Sequence, residues 1–385
     1  MKRISLIAIM ALMGIGSVAA KSSTTLPIVG EVVKATNPLI QYVGRVSFAK
    51  NEAASFNFPG TSILARFQGS SLKMICRPMT GYFMAQVDGC EPFKVGFNAE
   101  RDSVVTVAAA LPKGEHQVKL MYVIEGLFRT PEFRGFVLDK GCSLVKSPDL
   151  PERKIEFIGN SITCGYGVES IEMTDPFEDE TENHWLTYAN IVSDSLNAQH
   201  TSISRSGIGV YRNYDGPKAG SDENMPWQYE YTLFNKHDEK WDFNKYQPQL
   251  VCINLGTNDL STNNYDIAHY EKNYRMFLTT VRSKYPNAKI VLITGPMLGE
   301  KESGEQREVL DRICSDANKK GFTLPDEVRK ARKGKNKGDK DIYRFDFTFQ
   351  TGDLGYGASW HPSKLQHQKM ADELLPFLRN LMGWE

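Results

Sequence analysis

Two hydrophobic periods divide this chain. From about Gly30 to Cys142, apolar positions alternate in short runs. Ile63, Ala65 and Phe67 share one side, with Leu64 and Arg66 on the other, and Leu72, Met74 and Cys76 follow. Phe83, Ala85 and Val87 lead into Asp88-Gly89, a tight-hairpin signal. Val105 and Val107 stand before the turn Pro112-Lys113-Gly114; Val118, Leu120 and Tyr122 come after it. Successive side chains of a strand point to opposite faces. Period-two runs separated by Gly, Pro and Asp therefore predict a β-sandwich or jelly roll over residues 30–145.

The polar, two-proline stretch 146–153 reads as a linker. Beyond it, over residues 154–385, the period itself alternates. Ile155, Phe157 and Ile158 mark a buried strand, and Trp185, Tyr188, Val192 and Leu196 recur at helical spacing. Strands are expected at 201–204, 249–255, 289–294 and 341–347. Helices are expected on the Ile267, Tyr270, Tyr274, Phe277 and Val281 stripe, at 305–318, and at 363–382, bent or interrupted at Pro376. Strands alternating with helices predict an α/β unit: a parallel sheet covered on both faces.

The first twenty residues stand outside both patterns. Lys2 and Arg3 precede an apolar run from Ile4 to Ile15, and the small residues Ser17-Val18-Ala19-Ala20 close it. This is the form of a secretory signal peptide, residues 1–20, and no other stretch reaches the ~20 apolar residues of a membrane span. An exported protein, periplasmic or extracellular and without a membrane span, is expected. Its 46 Lys and Arg balance 46 Asp and Glu, which removes nucleic acid as an expected partner. The Lys/Arg-rich stretch 329–340 reads as a solvated loop, with an acidic partner as the alternative, and the acidic stretch 175–182 reads as solvated, with a role in shaping the acceptor side as the alternative. The six cysteines form no Cys-x-x-Cys pair and no Cys/His cluster, and the acidic stretch lacks calcium-loop spacing, so neither metal nor cofactor is expected. A disulfide between Cys76 and Cys90, which flank a predicted hairpin, is left open.

Four segments fall at predicted carboxyl ends of strands, where open α/β sheets collect their ligands. Gly159-Asn160-Ser161 follows the first strand, and its glycine permits a tight turn that exposes the hydroxyl. Residues 204–209 contain Gly207, residues 256–259 contain Asn258, and Ser359-Trp360-His361-Pro362 precedes the last helix. A hydroxyl, a glycine amide, an Asn side-chain amide and an imidazole are what acyl transfer needs. A serine nucleophile requires a base in reach, and its oxyanion requires fixed donors, each worth about 10²–10³ in rate. Singly, each has a plainer reading: turns at Ser161 and Gly207, an Asx turn at Asn258-Asp259, and a helix cap at His361 before Pro362.

In that order, Gly159-Asn160-Ser161, Gly207, Gly256-x-Asn258 and His361-Pro362 resemble the four blocks of the SGNH (GDSL-like) hydrolases. Together with the all-β module in front, Thr163-Cys164-Gly165-Tyr166-Gly167 and Trp360-His361-Pro362-Ser363 resemble carbohydrate esterase family 2. Its members carry a jelly-roll domain before an SGNH domain and remove acetyl groups from plant-type polysaccharides. The resemblance implies Ser161 as nucleophile and His361 as general base. It implies an oxyanion hole of the Ser161 amide, the Gly207 amide and the Asn258 side chain. It departs at one point: the acid usually three residues before the histidine is Ala358 here, and the position two before is Ser359. The resemblance then implies a Ser–His dyad oriented by a backbone carbonyl, expected near Ser359 or Trp360, with Asp353 as the second candidate. Trp360 and Trp227 are candidate walls for a sugar ring, with a packing role equally open for Trp227.

The expected function is hydrolysis of O-acetyl esters on xylan- or glucomannan-type polysaccharides, with an acetylated polysaccharide or oligosaccharide as partner. The alternatives are a peptidoglycan O-acetyl esterase, another SGNH lipase or thioesterase, and a non-catalytic carbohydrate-binding protein.

Overall fold

A computed structural model of the chain describes residues 28–385 except 51, 102, 128, 263 and 322–338. Residues 1–20, expected to be a signal peptide, and most of the basic stretch 329–340 lie outside the described residues. The front half is an antiparallel β-sandwich. Its strands are β1 (Glu31–Lys34), β2 (Gln41–Val43), β3 (Ala54–Ser55), β4 (Ser62–Gly69), β5 (Leu72–Cys76) and β6 (Gly81–Val87), then β7 (Phe93–Phe97), β8 (Ser103–Ala108), β9 (Gly114–Tyr122), β10 (Glu132–Leu138) and β11 (Leu144–Val145). One sheet runs β1-β10-β5-β8, the other β11-β4-β9-β6-β7. The alternation seen in the sequence becomes a dry interior: Ile63, Ala65, Phe67, Leu72, Met74, Phe83, Val118 and Leu120 are all fully buried between the sheets. At Pro112-Lys113-Gly114 the chain changes sheets, because β8 pairs with β5 and β9 with β4 and β6. Cys76 is buried on β5 and Cys90 is exposed in the β6–β7 turn, and no disulfide joins them, which settles the pairing left open by the sequence.

The second half is a five-stranded parallel sheet: β12 (Arg153–Gly159), β13 (Ala198–Ser204), β16 (Leu250–Asn254), β17 (Lys289–Thr294) and β18 (Ile342–Asp346). A short hairpin of β14 (Tyr231–Leu233) and β15 (Lys236–Lys240), which no hydrophobic period announces, lies apart. Strand alternation sorts the buried side chains onto two faces. Ile155, Phe157, Cys252 and Val291 meet α2 (Tyr188–Ser195) and α7 (Lys364–Met382), through Val192, Leu196, Met370 and Leu374. Ile158, Val251, Ile253 and Leu292 meet α5 (Ile267–Lys284) and α6 (Glu300–Lys320), through Tyr274, Phe277, Val309 and Ile313. Helix α6 starts five residues earlier than its apolar stripe, because Glu300 and Glu302 in the first turn complement the helix dipole. The stripe from Trp185 to Leu196 is broken at Thr187, whose side chain caps α2 after a 3-10 turn at His184–Leu186.

The order β13-β12-β16-β17-β18 is the 2-1-3-4-5 arrangement, whose switch point lies between β12 and β16. The two halves are interlocked. Arg45, 1% exposed, leaves the sandwich and lies against the rings of Phe58, Tyr229, Trp241 and Phe243. It donates to the carbonyls of Tyr229 and Tyr231. Burial pushes the nearby Glu156 carboxyl up, while the Arg45 charge and the Tyr229 and Tyr285 hydroxyls pull it back.

Candidate active site

Residue 161 sits where β12 stops. Gly159 is required there: a Cβ would lie 2.1 Å from Thr163 Oγ1. The chain then winds into a single helical turn, α1 (Ser161–Cys164), with the Asn160 side chain accepting from the Ile162 amide at 3.1 Å. Two bonds clamp this turn. Thr163 Oγ1 meets the Tyr188 hydroxyl at 2.9 Å, and the Thr163 carbonyl accepts from His184 Nδ1 at 2.8 Å. The rigid turn offers Ser161 Oγ to His361 Nε2 at 2.8 Å, across 200 residues of chain.

The other face of the imidazole explains the missing acid. His361 Nδ1 lies 3.0 Å from the carbonyl oxygen of Ala358, the residue that stands where the acid would. The orienting carbonyl is thus that of Ala358, immediately before Ser359 and within the segment where the sequence expected it. Ser359 (φ 50°) and Trp360 (φ 59°) take consecutive left-handed conformations, which swing the chain so that residue 361 folds back over residue 358. Such backbone is costly for non-glycine residues and persists only where the surroundings impose it. Here the Ala358 amide donates to the Gly167 carbonyl, Trp360 N–H to Met173, and Gln350 to the Trp360 carbonyl. Asp353 plays no part in this: it is exposed and accepts from the Thr351 hydroxyl at 2.7 Å.

The imidazole is stacked on Tyr166, with centroids 4.2 Å apart, and Tyr166 on Phe177. Burial pushes the His361 pKa down to about 4, against the opposing pull of the Ala358 carbonyl. The ring is neutral at ordinary pH, and with Nδ1–H donated to a carbonyl its Nε2 is the free base.

Gly207 (φ 73°) follows β13 in a turn whose Cβ direction meets no atom within 4 Å. Asn258 lies in α4 (Thr257–Leu260), directly after β16, and donates one amide hydrogen to the Ile208 carbonyl at 2.8 Å. This bond joins the loop carrying Gly207 to the helix carrying Asn258. Asp259 reinforces the union by accepting from the amides of Val210, Tyr211 and Arg212. All four segments thus emerge at one edge of the sheet. Trp360 is half-exposed beside His361. Trp227, on the short helix α3 (Met225–Gln228), packs on His237 (centroids 3.7 Å) and near Tyr231, in a ring cluster of its own.

Sequence patterns missed two features. Tyr166 lies inside a motif yet carries no signal of its stacking role. The stretch 175–182 is not simply solvated: Asp179 pairs with Arg129 of the sandwich, and Glu182 is completely buried.

A serine and imidazole paired at the carboxyl edge of this sheet define a GDSL-like hydrolase. Residues 155–374 match the GDSL-like Lipase/Acylhydrolase family, more than half of the chain, and residues 42–148 match the family described as Carbohydrate esterase 2 N-terminal. The chain belongs to carbohydrate esterase family 2. A family two carbohydrate esterase from Clostridium thermocellum, solved in complex with cellohexaose, is 34% identical, with a TM-score of 0.79 over 90% of this chain and 100% of that one. Cellulase/esterase CelE of Acetivibrio thermocellus is 34% identical over 90% of this chain, which spans only 40% of CelE. An acetylxylan esterase / glucomannan deacetylase of Cellvibrio japonicus is 27% identical over 91% of each chain.

Proposed function

We propose that this protein is an exported esterase that hydrolyses O-acetyl groups on xylan- or glucomannan-type polysaccharides through an acetyl-serine intermediate. The observation that carries this reading is the 2.8 Å bond from Ser161 Oγ to His361 Nε2, with Nδ1 fixed by the Ala358 carbonyl. Ser161 Oγ attacks the acetyl carbon and its proton passes to Nε2. The carbonyl oxygen becomes an oxyanion, to which the Ser161 and Gly207 amides and the remaining Asn258 amide hydrogen donate. The imidazolium returns its proton to the sugar oxygen as the C–O bond breaks. A water then loses a proton to Nε2, attacks the acetyl-serine, and acetate leaves as Oγ is reprotonated. Trp360, half-exposed beside the base, offers an indole face to the apolar side of a pyranose. The charged start and small-residue end of residues 1–20 support export.

The test is acetate release from acetylated xylan, glucomannan and peptidoglycan by the intact chain and by Ser161→Ala. Release from the first two that vanishes in Ser161→Ala supports the reading. Preference for peptidoglycan, or release that survives the substitution, overturns it.

A further inference from the structure

Behind Ser161 lies a buried acidic pair that the chemistry above does not use. Glu125, three residues past the end of β9 in the sandwich, is 3% exposed, and Glu182 is 0% exposed. Their carboxylate oxygens and Cys164 Sγ lie within 4.8 Å of one another. Two carboxyls so close and so dry cannot both ionise. Burial pushes both upward, Glu182 the further.

The bonds of this pair lead to the site. Glu125 Oε2 accepts the Ser206 amide at 2.7 Å, one peptide before Gly207. The same oxygen lies 4.0 Å from Cys164 Sγ, at the end of the helical turn that begins with Ser161. Glu125 thus touches both the loop offering the Gly207 amide and the turn offering the nucleophile. Its own backbone is fixed from three sides: its amide donates to Glu182 Oε2 (2.9 Å), the Val123 carbonyl accepts from His184 (2.9 Å), and Gly126 donates to Asn57 (2.9 Å).

We infer that Glu125 is a positioning residue for the oxyanion loop, supplied by the β-sandwich to the hydrolase half. Gly207 has no side chain to fix its left-handed backbone (φ 73°); its carbonyl accepts from the Tyr214 amide at 2.8 Å, and the peptide carrying its N–H is held through its neighbours. Asn258 grips the loop on the far side, through the Ile208 carbonyl. Glu125 grips the near side, through the Ser206 amide. Between the two, the Gly207 N–H has one direction. The bond requires an acceptor oxygen at a set distance, not a charge, because a protonated carboxyl still accepts through its carbonyl oxygen. Glu182 holds the Glu125 backbone and, among the described residues, its carboxyl has no hydrogen bond to Ser161, Gly207, Asn258 or His361.

This inference rests on the Ser161–His361 reading, and three substitutions in the full chain test it, with kcat and KM for p-nitrophenyl acetate and Tm measured on each. Glu125→Gln keeps an acceptor of the same reach and is expected to hold kcat within about three-fold. Glu125→Asp keeps the carboxyl group but draws the acceptor back by one methylene. It is expected to lower kcat about 10–100-fold with KM within two-fold, as a displaced oxyanion donor does. Glu182→Gln is expected to lower Tm and leave kcat within about three-fold, because its one hydrogen bond toward this region is to the Glu125 amide, for which Gln keeps an acceptor. Wild-type kcat in folded Glu125→Asp, a Gln variant as poor as the Asp variant, or a loss confined to KM would each overturn the inference. A fault in the Ser161–His361 reading would instead appear as activity surviving in Ser161→Ala, whatever the Glu125 variants do.

Discussion

Gly167 offers the sharpest test of how the imidazole is held. Its φ of 55° is left-handed, and a Cβ built there would lie 2.3 Å from Ala358 Cβ and 2.8 Å from Ala358 N. Carbon atoms rest about 3.5–4.0 Å apart, so Gly167→Ala must drive the two segments apart by roughly 1 Å or more. The atom group displaced is the one that matters: Ala358 gives its carbonyl to His361 Nδ1, and its amide is held by the Gly167 carbonyl. The neighbours are the Ala358 methyl and backbone, and neither has a torsion by which it can turn away. A 1 Å misplacement of a reacting group costs about 10²-fold in rate. Gly167→Ala is therefore expected to lower kcat for acetate release by about 10²-fold. The left-handed backbone alone costs about 1–2 kcal/mol of stability, so a control must separate strain from displacement. Gly355→Ala provides it: φ is 72°, yet nothing lies within 4 Å of its Cβ. The control should lose a similar amount in urea unfolding and keep its kcat. Refutation would be a folded Gly167→Ala with kcat within about three-fold of wild type, or equal losses of kcat in both variants.

Other consequences are open to direct measurement. His361 serves as a base only when neutral, and with its pKa near 4 the acid limb of kcat/KM falls as pH drops through about 4 rather than through the ordinary ~6.5. Tyr166→Ala admits water to the ring and is expected to move that limb upward; a limb already near 6.5 in wild type contradicts the burial argument. Asp353→Ala should keep kcat within about two-fold while His361→Ala loses about 10³-fold or more, since Asp353 is exposed and bonded to Thr351. Arg45→Ala empties a buried seat among four rings and leaves the Tyr229 and Tyr231 carbonyls without their donor, and should cost about 2–5 kcal/mol in urea unfolding. A loss below about 1 kcal/mol would show that the two halves do not depend on this residue.

The fold was legible because its two halves use different periods, two for the sandwich and 3.6 against short apolar runs for the α/β unit. The approach of residues 161 and 361 was legible for another reason. Parallel strands place their carboxyl ends at one edge, so ordered motifs after successive strands must meet there. What escaped is what the third dimension creates. The Ala358 carbonyl acts through two left-handed residues, Ser359 and Trp360, whose types announce nothing of the kind. Glu182 was counted with its acidic neighbours, and its burial depends on a loop of the sandwich about sixty residues earlier. The Cys76–Cys90 disulfide stayed open in the sequence because proximity along a hairpin does not say which way each thiol faces.

The interlock through Arg45 bears on any attempt to shorten or recombine chains of this type. A guanidinium seated among four aromatic faces of both halves makes the front half a stopper rather than a tethered accessory. Cutting at residues 146–153 would withdraw the stopper, wet an apolar chamber and strand an acid inside it. Grafts that exchange substrate preference between such enzymes should move both halves as one block, or carry the socket along with the plug.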